Sequence, residues 1–194
     1  MTIDIAVLFS GGGRTVLNLL NHIEAGNLDA RITLAIASKD GLVGIDRLNE
    51  RGLDVAIART DDEPLEIGDS RTSAWLEDAR PSLICLCGYL RLLTIEPWME
   101  GRVLNIHPAL LPNHGGKGMY GMRVHEHVIK SGDTQSGCTV HFVDEQYDHG
   151  ETIVQRTCQV EVDDTPQSLA DKVFQLECSA YVEAIHKVAR ELTV

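Results

Sequence analysis

The sequence comprises 194 residues, 43% apolar and 24% charged, with a formal net charge of -12. That length and balance suit one sizeable α/β core and exclude a fibrous or low-complexity chain, and the acidity argues against a nucleic-acid backbone, whose binding draws on clustered Lys and Arg. No apolar run approaches the roughly 20 residues of a membrane helix, and the five cysteines (Cys85, Cys87, Cys138, Cys158, Cys178) include no C-x-x-C pair, so they read as reduced core residues of a cytoplasmic protein.

The opening MTIDIAVLF has no basic flank and runs straight into glycines, so Ile3 to Phe9 reads as a first strand rather than a signal peptide. The following FSGGGRTVLNLL is a glycine-rich turn that opens a helix, predicted over Thr15 to Ala25. Backbone N–H groups and the positive helix end at such a turn make an anion site. Gly11 and Gly13 are in place, but Val16 stands where a dinucleotide fingerprint has its third glycine, and the Gly-Lys-Ser/Thr ending of a Walker A loop is missing. A turn needing positive φ would explain one glycine; three in a row followed by Arg14 favour a phosphate site.

Further apolar runs at Ile32 to Ala37, Asp54 to Ala58, Ser82 to Cys87 and Leu104 to Ile106, with helical segments at Leu42 to Arg51 and Ser70 to Ala79, continue the alternation. Alternating βα with continuous apolar strands predicts a parallel sheet buried on both faces. In LNIHPALLP, an extended Val103 to His107 would project Asn105 and His107 from one side, and Pro108 marks the carboxyl end of the strand, where parallel sheets bind ligands.

After residue 132 the pattern changes: Gly137 to Val143 and Thr152 to Cys158 read as two strands joined by the acidic DEQYDHGE. This loop is not an EF-hand, since Gln146, His149 and Gln155 occupy required ligand and glycine positions. Asp144 and Glu145 read as a solvated turn, whereas Asp148 held against His107 would favour the imidazolium and raise its pKa. His125 and His127 in VHEHV are two apart and do not share a helix face; His141 reads as structural, with a metal site shared with Asp148 and His149 as the alternative. A last helix is predicted from Thr165 as cap and Pro166 as first residue, with Leu169, Val173, Leu176 and Ala180 at helical spacing and Glu177 bordering them.

Together IAVLFSGGG, LNIHPALLP and GCTVHFVDEQYDHGETIVQ resemble the glycinamide ribonucleotide formyltransferases, folate-dependent enzymes of purine synthesis, from Ile3 to about Ile185. The resemblance implies a mostly parallel Rossmann-like sheet flanked by helices, with a C-terminal strand pair and final helix, in a single catalytic domain over residues 1–194. It implies transfer of a formyl group from 10-formyltetrahydrofolate to the amine of 5-phosphoribosylglycinamide, with Asn105, His107 and Asp148 as the catalytic trio and no metal. Gly13, Arg14 and Thr15 would hold the substrate phosphate and Glu177 its ribose. Leu90, Arg91, Leu92 and Leu93, with Asn105, would meet the folate, and Arg71 is either a further folate contact or a surface helix cap.

Two departures stand out: Arg14 and Thr15 replace the family's common Ser-Asn pair, and NHGGKGMYGMRVHEH is longer and richer in glycine than usual after L-L-P. The latter reads as a mobile cover, with Lys117 either meeting a phosphate or folate tail or simply solvated. The expected partners are small molecules, with neither nucleic acid nor membrane, and the chain would act as a monomer or homodimer. A formyltetrahydrofolate hydrolase or a sugar-nucleotide formyltransferase would share the same elements. A non-catalytic nucleotide binder is disfavoured by the complete Asn-His-Asp set, a dehydrogenase by the missing glycine, and a methionyl-tRNA formyltransferase by the net charge.

Overall fold

The computed structural model describes residues 2–192, which fall into two compact units, one within Met1–Val103 and one within Leu104–Val194. In the first, β1 (Ile3–Phe9), β2 (Ala30–Ala37), β3 (Ala56–Ile57) and β4 (Leu83–Leu86) form a parallel sheet in the order β3-β2-β1-β4. The crossovers are α1 (Arg14–Glu24), α2 (Val43–Asn49) and α3 (Leu65–Ala79). Parallel strands need such crossovers, and helices laid on the sheet keep water from both faces. Ile5 to Phe9 and Leu83 to Leu86 are accordingly buried without alternation.

Most element ends lie within two residues of their predicted positions, and two elements depart most in extent. β3 is a two-residue strand rather than Asp54 to Ala58, and α3 begins at Leu65 rather than Ser70. The helix runs through Gly68, which lies against Arg59: a Cβ added there would sit 3.3 Å from the Arg59 Cβ. Close packing, and not a turn, explains that glycine. A second close approach fixes the turn after β1. The Gly44 N–H donates to the Gly11 carbonyl at 3.2 Å, and a Cβ on Gly44 would meet that oxygen at 2.6 Å and the Phe9 ring at 2.7 Å.

In the second unit, β5 (Val103–His107), β6 (Gln135–Phe142) and β7 (Thr152–Gln159) are antiparallel in the order β5-β6-β7, with α4 (Met122–Ser131) and α5 (Pro166–Glu191). The strand pair predicted after residue 132 is present. So is the cap of the last helix: Thr165 accepts from the Ser168 N–H while Ser168 accepts from the Thr165 N–H. Leu169, Val173, Ala180, Ile185 and Val188 bury one face of α5, which packs on β6, β7 and α4. Burying each large apolar side chain contributes roughly 1.5–3 kcal/mol. Tyr181, fully buried, donates its hydroxyl to the Leu104 carbonyl at 3.0 Å and ties the helix to β5. Cys85, Cys87 and Cys138 are buried thiols, Cys158 and Cys178 half-buried ones. Among the described residues no helix is long and apolar enough to cross a membrane.

Gly44→Ala forces a methyl group against backbone that cannot yield, so it should lower the unfolding free energy by about 1–3 kcal/mol in a urea titration. An unchanged midpoint would show that the turn after β1 adapts freely.

Candidate active site

β5 presents Asn105 and His107 on one side, and the loop between β6 and β7 brings Asp148 to them. Asp148 Oδ1 accepts from Asn105 Nδ2 at 3.3 Å, and Oδ2 lies 3.4 Å from His107 Nδ1. The loop is bent sharply enough because Asp148 sits in left-handed backbone with φ 54, which Asp tolerates better than most residues. Two residues on, Gly150 passes so close to β6 that a Cβ would stand 1.9 Å from the Phe142 carbonyl oxygen. The Asp-x-Gly spelling thus follows from geometry: a carboxylate at the tip, and a residue with no side chain where the chain turns back.

His141 completes the group, although the sequence reading had it as structural or as a metal ligand. Antiparallel register sets it opposite Asn105, and its Nε2 accepts from Asn105 Nδ2 at 3.1 Å and lies 3.6 Å from Asp148 Oδ1. Its Nδ1 faces the Phe142 carbonyl at 2.7 Å; a carbonyl only accepts, so Nδ1 carries the proton and Nε2 is bare. Pairing with β7 shifts register between Val140 and His141, an irregularity of the kind that re-aims side chains at functional sites. The signal available beforehand was the strand alternation of V-H-F-V, which gives His141 one face of β6 together with Thr139. Among the described residues no three His, Cys, Asp or Glu side chains are grouped as a metal ion would require.

All three titratable side chains are buried, with His107 4% exposed, Asp148 9% and His141 2%. Burial works against the Asp148 charge, but His141 and His107 in their protonated forms, and the Gly116 N–H at 2.9 Å, outweigh it and hold the carboxyl below its ordinary value. Asp148 is therefore ionised near neutral pH. For His107 the balance runs the other way: burial lowers its pKa by more than Asp148 and the His114 carbonyl raise it. This corrects the expectation of a raised pKa. Desolvation of a nearly enclosed imidazole exceeds the attraction of a carboxylate at 3.4 Å, so the resting His107 is neutral.

Its proton lies on Nε2, which faces the carbonyl of His114 at 2.8 Å, leaving Nδ1 bare toward Asp148. The glycine-rich segment 113–121 is thus hydrogen-bonded to the trio, through the His114 carbonyl to His107 and the Gly116 N–H to Asp148. A cleft of about 370 Å³ opens beside Asp148, lined by Leu111, Pro112, Gly116, Tyr147, His149 and Thr152. Lys117 is exposed. In VHEHV, His125 is buried and His127 exposed, on different faces of α4 as predicted.

The other predicted site residues are placed as follows. Gly13, with φ 71, is the residue before α1; no side chain caps that helix, and Arg14 and Thr15 open its first turn. Glu177 lies half-buried on α5, close enough to the Cys138 thiol that its charge adds to burial in pushing that group up to about 12. Leu90 and Leu92 are 45% and 44% exposed while Leu93 is buried, and Arg91 Nε donates to Asp69 at 3.0 Å. The Leu90 N–H donates to Ser10 Oγ at 3.0 Å. The Arg71 guanidinium is taken up by both carboxylate oxygens of Glu63, at 2.7 and 2.6 Å, and by the Ala58 carbonyl at 3.1 Å.

A half-buried amide beside a buried imidazole and carboxylate, on an α/β scaffold, is an arrangement able to assist group transfer by acid–base chemistry. The chain belongs to the formyl transferase family, whose model, described as Formyl transferase, matches residues 3–185. It is 36% identical over 193 residues to a Vigna unguiculata protein named phosphoribosylglycinamide formyltransferase, chloroplastic, the match covering 98% of this chain and 62% of that protein. The chain therefore spans less than two thirds of that relative's length. It is also 35% identical over 187 residues to the trifunctional purine biosynthetic protein adenosine-3 of Drosophila melanogaster, covering 93% of this chain and 13% of that one. The crystal structure of phosphoribosylglycinamide formyltransferase from Brucella melitensis matches with a TM-score of 0.82 at 31% identity, over 97% of this chain and 96% of that one.

His125 gives the site's surroundings a measurable acid sensitivity. Burial, reinforced by the neighbouring His107, lowers its pKa from 6.5 to about 4. Above pH 6.5 both folded and unfolded chains carry it neutral; as pH falls the unfolded chain binds the proton first, so stability is lost on the way to pH 4, by about 3 kcal/mol. In urea titrations at pH 7 and pH 4, His125→Gln should lose about 3 kcal/mol less than the parent chain. Equal losses in both would show that His125 is not the group responsible.

Proposed function

We propose that the protein transfers the formyl group of 10-formyltetrahydrofolate to the amine of 5-phosphoribosylglycinamide, a step of de novo purine biosynthesis. What carries the proposal is the set of half-buried Asn105 with buried, neutral His107 and buried, ionised Asp148 in a member of the formyl transferase family. The names of the relatives supply the substrate and the pathway.

In this reaction the substrate amine attacks the formyl carbon and forms a tetrahedral intermediate with an oxyanion and a cationic nitrogen. His107 Nδ1, bare at rest, takes a proton from that nitrogen, and the imidazolium so made stands against Asp148. Asn105 Nδ2 exchanges one of its present acceptors, His141 or Asp148, for the oxyanion, and the protonated His107 supports it from the same side. The proton then passes, from His107 or through an ordered water, to the folate nitrogen as its bond to the formyl carbon breaks. One C–N bond forms, one breaks and one proton moves, with no covalent enzyme intermediate.

The substrate phosphate is assigned to the turn at Gly13, Arg14 and Thr15, where a helix start with no side-chain cap and the helix dipole favour an anion. Glu177 is assigned to the ribose, and the segment Leu90, Arg91, Leu92 and Leu93, with Asn105, to the folate. Arg71, committed to Glu63, is left with a structural role. Residues 1–194 act as one catalytic domain on small molecules, in the cytoplasm, as a monomer or homodimer.

Incubation with 10-formyltetrahydrofolate, followed by folate absorbance and product mass, tests the proposal: deformylation should depend on the glycinamide and yield its formylated form. Deformylation without acceptor would instead identify a hydrolase, and turnover only with an amino sugar nucleotide a different transferase. His107→Ala and Asp148→Ala should each lower kcat by about 10²–10⁴-fold while nucleotide binding is largely kept. Normal turnover in both would defeat the mechanism.

A further inference from the structure

His107 is held at its protonated nitrogen by a backbone carbonyl, and the residue that owns this carbonyl is unusually well anchored. His114 Nε2 lies 2.6 Å from Asp133 Oδ2, and its Nδ1 lies 2.8 Å from His127 Nδ1. A carboxylate only accepts, so Nε2 donates to Asp133 and Nδ1 is left to pair with His127. The two imidazoles meet edge to face, with centroids 5.0 Å apart. His127 is on α4 and Asp133 just beyond its end, so both anchors belong to one helical segment. The His114 side chain is only 11% exposed, and its backbone has φ 56, a region in which non-glycine residues are uncommon.

We propose that His114 is a positioning residue for His107: with its ring tied between Asp133 and His127, it holds residue 114 in left-handed backbone, so that the carbonyl fixes the His107 proton on Nε2 and keeps Nδ1 bare. The two tautomers of a neutral imidazole differ little in intrinsic energy, so the hydrogen bond at one nitrogen decides which is present. A competing tautomer is at hand in this site, because a proton on Nδ1 would point at Asp148 Oδ2, 3.4 Å away. Without the His114 carbonyl that arrangement would be favoured, and the nitrogen required to accept a proton would already carry one. Segment 113–121 thus does more than cover the site. Its His114 end sets the protonation pattern of His107, while its Gly116 N–H helps keep Asp148 charged.

The inference uses the formyl-transfer proposal only for its kinetic consequence, so the test has a readout independent of turnover. Ring-nitrogen NMR of the full chain labelled with nitrogen-15 histidine reports the tautomer of each imidazole, with the His107 signals identified by their loss in His107→Gln. In the parent chain His107 should be a single Nε2–H tautomer. In His114→Ala and in Asp133→Ala its two nitrogens should move toward the averaged values of a tautomer mixture, while Asp133→Asn, which keeps an acceptor oxygen, should restore the parent pattern.

Where formyl transfer is observed, kcat should fall on the order of tenfold in the two alanine variants with KM for the acceptor little changed. A pure Nε2–H tautomer retained in both alanine variants would overturn the proposal; should His114→Ala fail to fold, Asp133→Ala decides alone. Absence of formyl transfer in the parent chain would count against the proposed function and leave the tautomer result standing.

Discussion

The buried carboxylate of Asp148 is the constraint on which the second unit is organised. An ionised group removed from water costs several kcal/mol unless its lone pairs are met. Here Asn105 and Gly116 donate to it, and His107 and His141 lie within 4 Å. These partners come from β5, from the segment after it and from β6, so each element must hold its register for the charge to be tolerated. Satisfying Asp148 and assembling the site are one requirement.

Glycines make that assembly sterically feasible. At Gly150 a side chain would collide with the Phe142 carbonyl, and at Gly137 a Cβ would lie 1.8 Å from the Arg156 carbonyl oxygen, so β6 and the chain returning into β7 could not come together. Thr139, on the same strand, donates to the Ala109 carbonyl at 2.7 Å and accepts from the Leu111 N–H at 3.1 Å, fixing the path of the chain as it leaves β5. The register that sets His141 against Asn105 also lets β6 steer the segment carrying the His114 carbonyl.

What could be read from the sequence was what depends on local periodicity. Strand alternation put Asn105 and His107 on one face, the Thr165-Pro166 start announced α5, and continuous apolar runs announced the parallel strands of the first unit. Asp148, 43 residues beyond Asn105 in the chain, could be brought to the pair only by resemblance, because no local rule fixes where a loop tip lands. The contacts of His141 with Asn105 and Asp148 were out of reach for a related reason: its neighbours are set by cross-strand register. The loop residue His114 escaped notice because it acts through a carbonyl that every residue possesses. The sign of the His107 shift was lost because it is a contest between burial and charge, and only coordinates give the depth of burial.

The corrected sign also makes better chemical sense. A histidine already paired as an imidazolium with Asp148 would have spent that attraction before any substrate arrived, stabilising the ground state as much as the transition state. A neutral imidazole beside an ionised carboxylate keeps the attraction in reserve. Charge develops on His107 only when it accepts a proton, and it then develops against a group that is already oriented and already dehydrated, so nothing has to reorganise at the moment of reaction. Under the proposed reaction, the desolvation that depresses the resting pKa and the carboxylate that receives the new charge act in sequence. The first withholds the proton until the amine has one to give, and the second holds it until the folate nitrogen leaves.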